Sequence, residues 1–359
     1  MINTLNYILW QVQPEIIEGF RVRWYGLLFA LGFVVGIQLF LRFFGKERND
    51  GNDFNDKDTD RLIIYIVLGV VLGARFGHCL FYEPSYYLSN PLEILMIQKG
   101  GLASHGAGIG LLVGLFLFMK KEKRFSFLWL LDRLALAVAI SGCFIRFGNL
   151  MNSEIIGKPY DGPGAFAFVE ETKNVIESQE HILDVTIIKN NSWLTQNNFN
   201  YPGVKVEITF IPEMSEQDIQ SFLDQSGNQI FTPPNKFYKR HILDPTVNFT
   251  VSGSIASVNT FLITRHPAQL YESISSLILF IILSLIYLKL RKNTPEGLLS
   301  GMFFIWIFTL RFFYEFLKEN QVLMEEDMSL NIGQKLSIPM VLLGIFLIYK
   351  SLKNKSESE

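Results

Sequence analysis

Long apolar stretches, each with an ionisable residue near one end, constrain this chain more than any other feature. The sequence has 359 residues, of which 49% are hydrophobic, including 32 Phe. A charged side chain at the centre of a bilayer costs roughly 2.5–3.5 kcal/mol on insertion scales, so such residues usually mark a working site. The pattern predicts an all-α polytopic membrane protein whose embedded polar residues have a function.

Seven stretches approach the length of about 20 residues that a membrane-spanning helix needs, several of them only when the ionisable residue is included. The predicted spans are 24–43, 62–82, 101–119, 127–149, 269–288, 298–316 and 335–350.

Basic clusters after alternate spans predict the orientation of the chain. The clusters are Gly45–Arg48, Lys120–Arg124, Lys289–Lys292 and the group Lys350, Lys353 and Lys355. Cytoplasmic loops carry an excess of Lys and Arg, and all four clusters lie on one side if the N-terminus is outside. We therefore expect seven transmembrane helices, N-out and C-in.

On this topology, the embedded polar residues fall in the outer half of the spans or at their outer rim. They are Tyr25, Arg75, His78, His105, Arg146, Asn149, Glu272, Arg311 and Glu315. An ion pathway would distribute polar groups through the whole thickness or around broken helices at the midplane. The distribution favours chemistry at the outer surface of the membrane.

A polar segment of about 100 residues separates the fourth and fifth spans. Alternation over Val204–Phe210 predicts a strand, and Ser215 followed by Asp218 predicts a capped amphipathic helix. We expect an inserted, extracytoplasmic α+β head. The predicted domains are a membrane part with an interfacial N-terminus (1–157), the head (158–263), a second membrane part (264–352) and a cytoplasmic polar tail (353–359).

Other classes of site have little support. His78, His105 and His266 lack the spacing of a zinc motif, and the two cysteines, Cys79 and Cys143, lie in apolar segments as small packing residues. Net charge is −2, and no segment resembles a nucleotide-binding loop. We expect no metal, no cofactor and no nucleic acid partner.

Six short motifs lie in register with the predicted spans. They are Trp24–Gly26, Gly100–Gly106, Arg146–Glu154, Arg265–Glu272, Arg311–Glu315, and Gly333-Gln334 with Ser337–Pro339. Each is weak alone. Together and in this order, they resemble the bacterial prolipoprotein diacylglyceryl transferase family over roughly 20–157 and 264–350.

The resemblance implies an enzyme of the bacterial inner membrane with its active site toward the extracytoplasmic side. Such an enzyme moves the diacylglyceryl group of phosphatidylglycerol to the lipobox cysteine of a preprolipoprotein signal peptide. The product is a thioether, glycerol-1-phosphate leaves, and lipoprotein maturation begins. The implied partners are phosphatidylglycerol, preprolipoprotein signal peptides and the lipid bilayer.

The resemblance also assigns roles to individual residues. His105, Arg146 and Arg311 are the expected catalytic residues. Binding of phosphatidylglycerol or of the lipobox is expected of Tyr25, Arg75, Asn149, Asn152, Glu154, Gly157, Arg265, His266, Tyr271, Glu272 and Glu315.

The chemistry of these residue types agrees with such a transfer. A thiol with a pKa of about 8.5 is mostly protonated at neutral pH, so it needs a base or a positive field, and His105 is the natural proton acceptor. Arg146 and Arg311 can clamp the lipid phosphate bidentately. Glu154 and Glu315 can hold the arginines, because a buried carboxylate usually needs a cation.

Several positions keep a structural alternative. Arg75 is equally well explained as a partner of Glu83 or Glu315. Arg265 and His266 border the head and suit a hinge as well as chemistry. Asp132 and Arg133, near the inner end of the fourth span, are expected to form an interfacial pair.

The chain also departs from the family pattern. Lys318 stands where many members have a third arginine, and it lacks the bidentate fork of that residue. Ile307 stands where members often have Tyr. Two other functions stay open: an anion transporter or channel, which would need polar residues continuing to the inner face, and a non-catalytic assembly or chaperone protein whose head binds exported partners.

Overall fold

The computed structural model describes residues 7–17, 19, 22–41, 54–96, 101, 103–230, 242, 248–319 and 328–358. Contacts divide the chain into two compact units. The first unit comprises Met1–Leu28, Ile145–Ser273 and Phe313–Ile332, and the second comprises Phe29–Phe144, Ile274–Phe312 and Gly333–Glu359.

Helices make up most of the described residues. The α-helices are α1 (Trp24–Leu39), α2 (Asp56–Phe81), α3 (Pro84–Ser89), α4 (Ser104–Glu122), α5 (Phe127–Met151), α6 (Glu170–Glu177), α7 (Glu216–Ile230), α8 (Ala268–Leu290), α9 (Leu298–Tyr314) and α10 (Ile332–Ser358). The strands are β1 (Ile8–Trp10), β2 (Phe166–Phe168), β3 (Ile182–Gln196), β4 (Phe199–Phe210), β5 (Thr250–Ser252) and β6 (Ile255–Phe261).

Five helical stretches in the described part of the chain are long and apolar enough to cross a membrane, so the protein is a multi-pass membrane protein. They are Asp56–Phe81, Phe127–Met151, Ala268–Asn293, Leu298–Leu317 and Ile332–Asn354. The expected span 24–43 overlaps α1, which has 16 residues, and the expected span 101–119 overlaps α4. Neither helix is among the five. The seven-span topology and its orientation therefore stay predictions, and the basic cluster Gly45–Arg48 lies outside the described residues.

Within the second unit, glycines bring α2 and α4 into backbone contact. A Cβ at Gly77 would lie 2.8 Å from Cα of Gly106, and one at Gly73 would lie 2.8 Å from Cα of Gly110. Small residues allow helices to approach this closely in membranes. Gly69 takes part in the same contact, whereas Gly108 faces open space.

A buried carboxylate fixes the start of α9 in the same unit. Asp132 accepts hydrogen bonds from the backbone N–H of Gly297 (2.7 Å) and of Ser300 (2.8 Å), as a helix cap supplied by another helix. The neighbouring Arg133 is fully buried and lies 4.2 Å from the ring centre of Trp129. Asp132 thus contacts the start of α9, whereas Arg133 contacts Trp129.

In the first unit, the polar segment folds into an antiparallel sheet in the order β3-β4-β6-β5. Val204, Val206 and Ile208 of β4 are buried together with Ile219 and Leu223 of α7. The predicted strand is therefore confirmed. The predicted helix cap is confirmed too, since Ser215 and Asp218 exchange hydrogen bonds between side chain and backbone at 3.1 and 3.3 Å.

A second, parallel pair of strands, β1 and β2, ties the N-terminal segment to the end of α5. Trp10 at the end of β1 donates its indole N–H to the carbonyl of Leu150 at 3.1 Å. This contact positions the last turn of α5, where the Arg146–Glu154 motif lies.

Candidate active site

The loop that follows α5 has an unusual backbone. Ser153 and Ile155 have φ angles of 54° and 56°, and a β-branched residue in this left-handed region is a clear outlier. Such a conformation costs about 1–3 kcal/mol and persists only where the surroundings impose it. Here, the Glu154 backbone N–H donates to the backbone carbonyl of Asn149 (2.9 Å), and the Glu154 carbonyl accepts from the side chain of Gln269.

The Glu154 carboxylate holds two asparagine side chains. Its Oε2 accepts from Nδ2 of Asn149 at 3.0 Å, and its Oε1 accepts from Nδ2 of Asn152 at 3.1 Å. No arginine that the structure describes pairs with this carboxylate, which corrects the expectation that Glu154 holds an arginine. Glu154 instead orients the two amides that follow Arg146 in the motif.

Arg146 is held by Glu272, from the first turn of α8. Its Nε lies 2.9 Å from Oε2 of Glu272, and its Nη1 lies 3.5 Å from Oδ1 of Asn149. Nη2 makes no hydrogen bond to any residue within the described ranges, and 25% of the side chain is exposed. A guanidinium has five N–H donors, so Arg146 keeps several for a ligand.

The other oxygen of Glu272 binds a second cation. Nζ of Lys318 lies 2.5 Å from Oε1 of Glu272 and 3.3 Å from Oε1 of Glu315. Glu315 in turn accepts a hydrogen bond from Asn331 at 2.9 Å. The departure at Lys318 thus places a compact ammonium between two carboxylates, where no bidentate fork is needed.

Tyr25 packs against the same end of α5. A Cβ at Gly148 would lie 3.0 Å from Cα of Tyr25 and 3.2 Å from its ring, so the glycine makes room for the aromatic residue. The first unit therefore contains a connected set of expected site residues: Tyr25, Arg146, Asn149, Asn152, Glu154, Glu272 and Glu315.

Arg265 and Gly157 belong to a neighbouring backbone arrangement in the same unit. Arg265 is 3% exposed, donates to the Gly157 carbonyl (3.2 Å) and pairs with Glu319 (2.6 Å). A Cβ at Gly157 would lie 2.6 Å from Cβ of His266, so no larger residue fits there. These contacts favour a structural role for Arg265.

His266 is packed between two tyrosines. Its ring stacks on Tyr160 with centres 4.0 Å apart, and its Nδ1 lies 3.4 Å from the hydroxyl of Tyr271. Burial lowers the pKa of His266 below its ordinary value and so favours the neutral imidazole.

In the second unit, Arg75 is surrounded by backbone acceptors. Its guanidinium donates to the carbonyls of Glu93 (2.5 Å), Ile94 (2.8 Å) and Gly101 (3.1 Å), and it lies 4.9 Å from the ring centre of Tyr87. The side chain is almost fully buried. These contacts indicate that Arg75 fixes the segment between α3 and α4.

His105 opens α4 in the second unit and is exposed. The rings of Phe81 and Tyr82 lie 5.5 and 5.8 Å from its own ring. His78 stacks on the same Tyr82 at 5.5 Å. Arg311 lies in the last turn of α9 and is partly exposed.

Comparisons with known proteins agree with the motifs. A family model described as prolipoprotein diacylglyceryl transferase matches residues 12–350. The chain is similar to three proteins named phosphatidylglycerol–prolipoprotein diacylglyceryl transferase. That of Tolumonas auensis is 34% identical over 351 residues (97% of this chain and 99% of the relative). That of Chloroherpeton thalassium is 32% identical over 353 residues, which cover 98% of this chain and 97% of the relative. That of Bacteroides fragilis is 32% identical over 371 residues, which cover 99% of both chains.

The family model covers nearly the whole chain, and these relatives exceed 30% identity along their full length. The chain therefore belongs to the prolipoprotein diacylglyceryl transferase family and is a transferase.

Proposed function

We propose that this protein transfers the diacylglyceryl group of phosphatidylglycerol to the lipobox cysteine of preprolipoproteins. The names of the relatives support this choice of substrates. The observation that carries the proposal is that Arg146 is held in place by Glu272 and still has unused N–H donors. Glu272 fixes its Nε, Nη1 contacts Asn149, and several N–H donors are left for an anionic ligand. A preorganised guanidinium of this kind suits the phosphate of the lipid.

In the proposed step, the cysteine sulfur attacks the glyceryl carbon that bears the phosphate oxygen. The sulfur–carbon bond forms as the carbon–oxygen bond breaks, and the bonding electron pair leaves with the phosphate. The thiol proton passes to a base. The products are the thioether-linked diacylglyceryl protein and glycerol-1-phosphate.

Arg146 and Arg311 both offset the negative charge of the phosphate in this step. Arg146 binds the phosphate and stabilises the negative charge that grows on it, and Arg311 supplies a second positive charge. Removing a single preorganised donor from such a centre typically costs 10²–10³-fold in rate. Asn149 and Asn152, oriented by Glu154, offer amide groups to the headgroup without adding charge.

His105 is the proposed proton acceptor. It is exposed at the start of α4, and the flanking rings of Phe81 and Tyr82 limit its orientations. An imidazole is the side chain best suited to take a thiol proton near neutral pH. The substrate cysteine is then a thiolate, which is the nucleophilic form that attacks the glyceryl carbon.

The experiment that tests the reaction follows both products. Wild-type protein in phosphatidylglycerol vesicles is mixed with a lipobox peptide. Mass spectrometry measures the thioether, and ³¹P NMR measures the released phosphate compound. We expect equal amounts of thioether and glycerol-1-phosphate. Absence of thioether, or release of glycerol-1-phosphate without thioether, would contradict the proposed transfer.

The proposed setting is a bacterial inner membrane, crossed seven times, with the N-terminus, the head and the active site on the extracytoplasmic side. Single cysteines at Asn197, in the turn between β3 and β4, and at Lys121, at the end of α4, test this in a Cys79→Ala, Cys143→Ala background. A membrane-impermeant maleimide should label Asn197→Cys in spheroplasts and leave Lys121→Cys unlabelled. The reverse pattern would overturn the orientation.

A further inference from the structure

A cleft of ≈ 590 Å³ lies beside the motif loop in the first unit. Its volume is within the roughly 300–1,000 Å³ of typical ligand sites. One side is formed by the loop and the other by α6; the polar residues that line it include Asn152, Ser153, Glu154, Glu170, Glu171 and Asn174. The cleft thus shares Glu154 with the hydrogen-bonded chain that leads through Asn149 to Arg146.

Glu170 is the notable residue of this cleft. It is only 4% exposed, and it makes no hydrogen bond or ion pair with any residue in the described part of the chain. Lys173, on the same helix, places its ammonium 3.5 Å from Glu177 and 3.7 Å from Asp184. Glu170 lines the cleft and has no hydrogen bond or ion pair within the described residues, so its carboxylate can accept a donor from a ligand bound there.

The charge of the cleft decides which kind of ligand fits. Glu154, Glu170 and Glu171 line it, so a lipid phosphate would meet several negative charges. A peptide in an extended conformation offers the opposite chemistry, since it presents backbone N–H groups and, where it contains Lys or Arg, cationic side chains.

We propose that this cleft binds the segment that follows the lipobox cysteine of the protein substrate, with Glu170 accepting a hydrogen bond from an N–H or ammonium group of that segment. The inference rests on the proposed function, because it places the substrate cysteine on the Arg146 side of Glu154 and the following residues in the cleft. Glu170 is then a residue that positions the peptide, separate from the residues that bind the lipid.

The test measures binding of unreactive peptides, in which Ser replaces the lipobox cysteine. One peptide ends at that Ser, and the other continues for six residues that include Lys. Wild-type protein in phosphatidylglycerol nanodiscs should bind the longer peptide about tenfold more tightly, as a charge-assisted hydrogen bond allows. Glu170→Gln should bring the two affinities to within about twofold. Glu180→Gln, a change at a glutamate whose side chain is 86% exposed, should behave as wild type.

Two results would overturn the proposal. One is equal affinity of the wild type for the two peptides. The other is a Glu170→Gln variant that weakens both peptides by the same factor, since this would indicate a purely structural role.

Turnover of the corresponding cysteine peptides separates this proposal from the proposed function. Binding that depends on the tail and on Glu170, without any thioether, supports the cleft and contradicts the transferase reaction. Thioether formed from both peptides with equal kcat/KM supports the reaction and contradicts the cleft.

Discussion

The ammonium of Lys318 lies 2.5 Å from Oε1 of Glu272, and the two side chains are 3% and 9% exposed. The second oxygen of the same carboxylate binds Nε of Arg146. Glu272 therefore fixes the proposed phosphate-binding arginine while its own charge is shared with Lys318. A buried ion pair of this kind is costly to break, because the remaining charge loses its partner.

Lys318→Met should accordingly destabilise the protein and slow the transfer. Loss of one member of a buried ion pair typically costs about 3–5 kcal/mol. Thermal unfolding in detergent measures the effect on stability, and the transfer rate measures the effect on Arg146. Lys205→Met is the matched control, since Lys205 pairs with Glu207 on the surface of the sheet with 43% of its side chain exposed. Equal losses in the two variants would argue against the role of the buried pair.

His105→Gln should lower kcat without a matching change in the apparent KM for phosphatidylglycerol. Removing a general base typically costs about 10²–10⁴-fold in rate. The rate should recover partly at high pH, where the substrate thiol ionises without assistance. His181→Gln, at an exposed histidine of the first unit, serves as the control. A His105→Gln enzyme with the wild-type rate and pH profile would assign the proton to another acceptor.

Glu170→Gln should raise the thermal stability at neutral pH, although it weakens peptide binding. Burial raises the pKa of Glu170 above its ordinary value of 4.5; Lys173 lowers it, and Glu177 raises it further. The folded state therefore takes up the proton more readily than the unfolded state, and the wild type loses stability as the pH rises through the raised pKa.

The gain in melting temperature from Glu170→Gln should consequently be present at pH 7.5 and shrink as the pH falls toward 4.5. Glu180→Gln, at the exposed position, should show no such trend. A gain that is the same at every pH, or a loss at pH 7.5, would contradict the unpaired state of Glu170.

Gly106→Ala should separate α2 and α4. The added Cβ would lie 2.9 Å from Cα of Gly77, a backbone atom that cannot move alone. Overpacking of this kind typically costs about 1–3 kcal/mol. Gly108→Ala introduces the same methyl group on the same helix, where nothing lies within 4 Å, and should keep or slightly raise the melting temperature, because Ala favours the helix over Gly. Similar melting temperatures for the two variants would show that the glycine contact is not needed.

The local features of the fold could be predicted from the sequence because their physical causes are local. Hydropathy located the apolar helices, alternation located β4, and the spacing of Ser215 and Asp218 located the start of α7. The end of α5 is also a local feature: Asn149 lies in the last turn of the helix, and Glu154 lies in the loop that follows it.

The pairing between distant residues could not be predicted. Glu272 and Lys318 are far apart in the chain, and any of several carboxylates could have neutralised the lysine. For the same reason, Glu154 was expected to hold an arginine, whereas it holds two asparagines. The backbone acceptors of Arg75 and the capping role of Asp132 likewise depend on tertiary contacts that leave no periodic signal.

Transfer from phosphatidylglycerol to a lipobox peptide, compared between wild type and Arg146→Ala, tests the central claim most directly. Arg61→Ala is the matched control, because Arg61 is 52% exposed and pairs with Glu122 on the surface of the second unit. We expect thioether from the wild type and from Arg61→Ala, and a rate lower by about 10²-fold or more from Arg146→Ala. A folded wild type that forms no thioether, or an Arg146→Ala variant that matches it, would contradict the account.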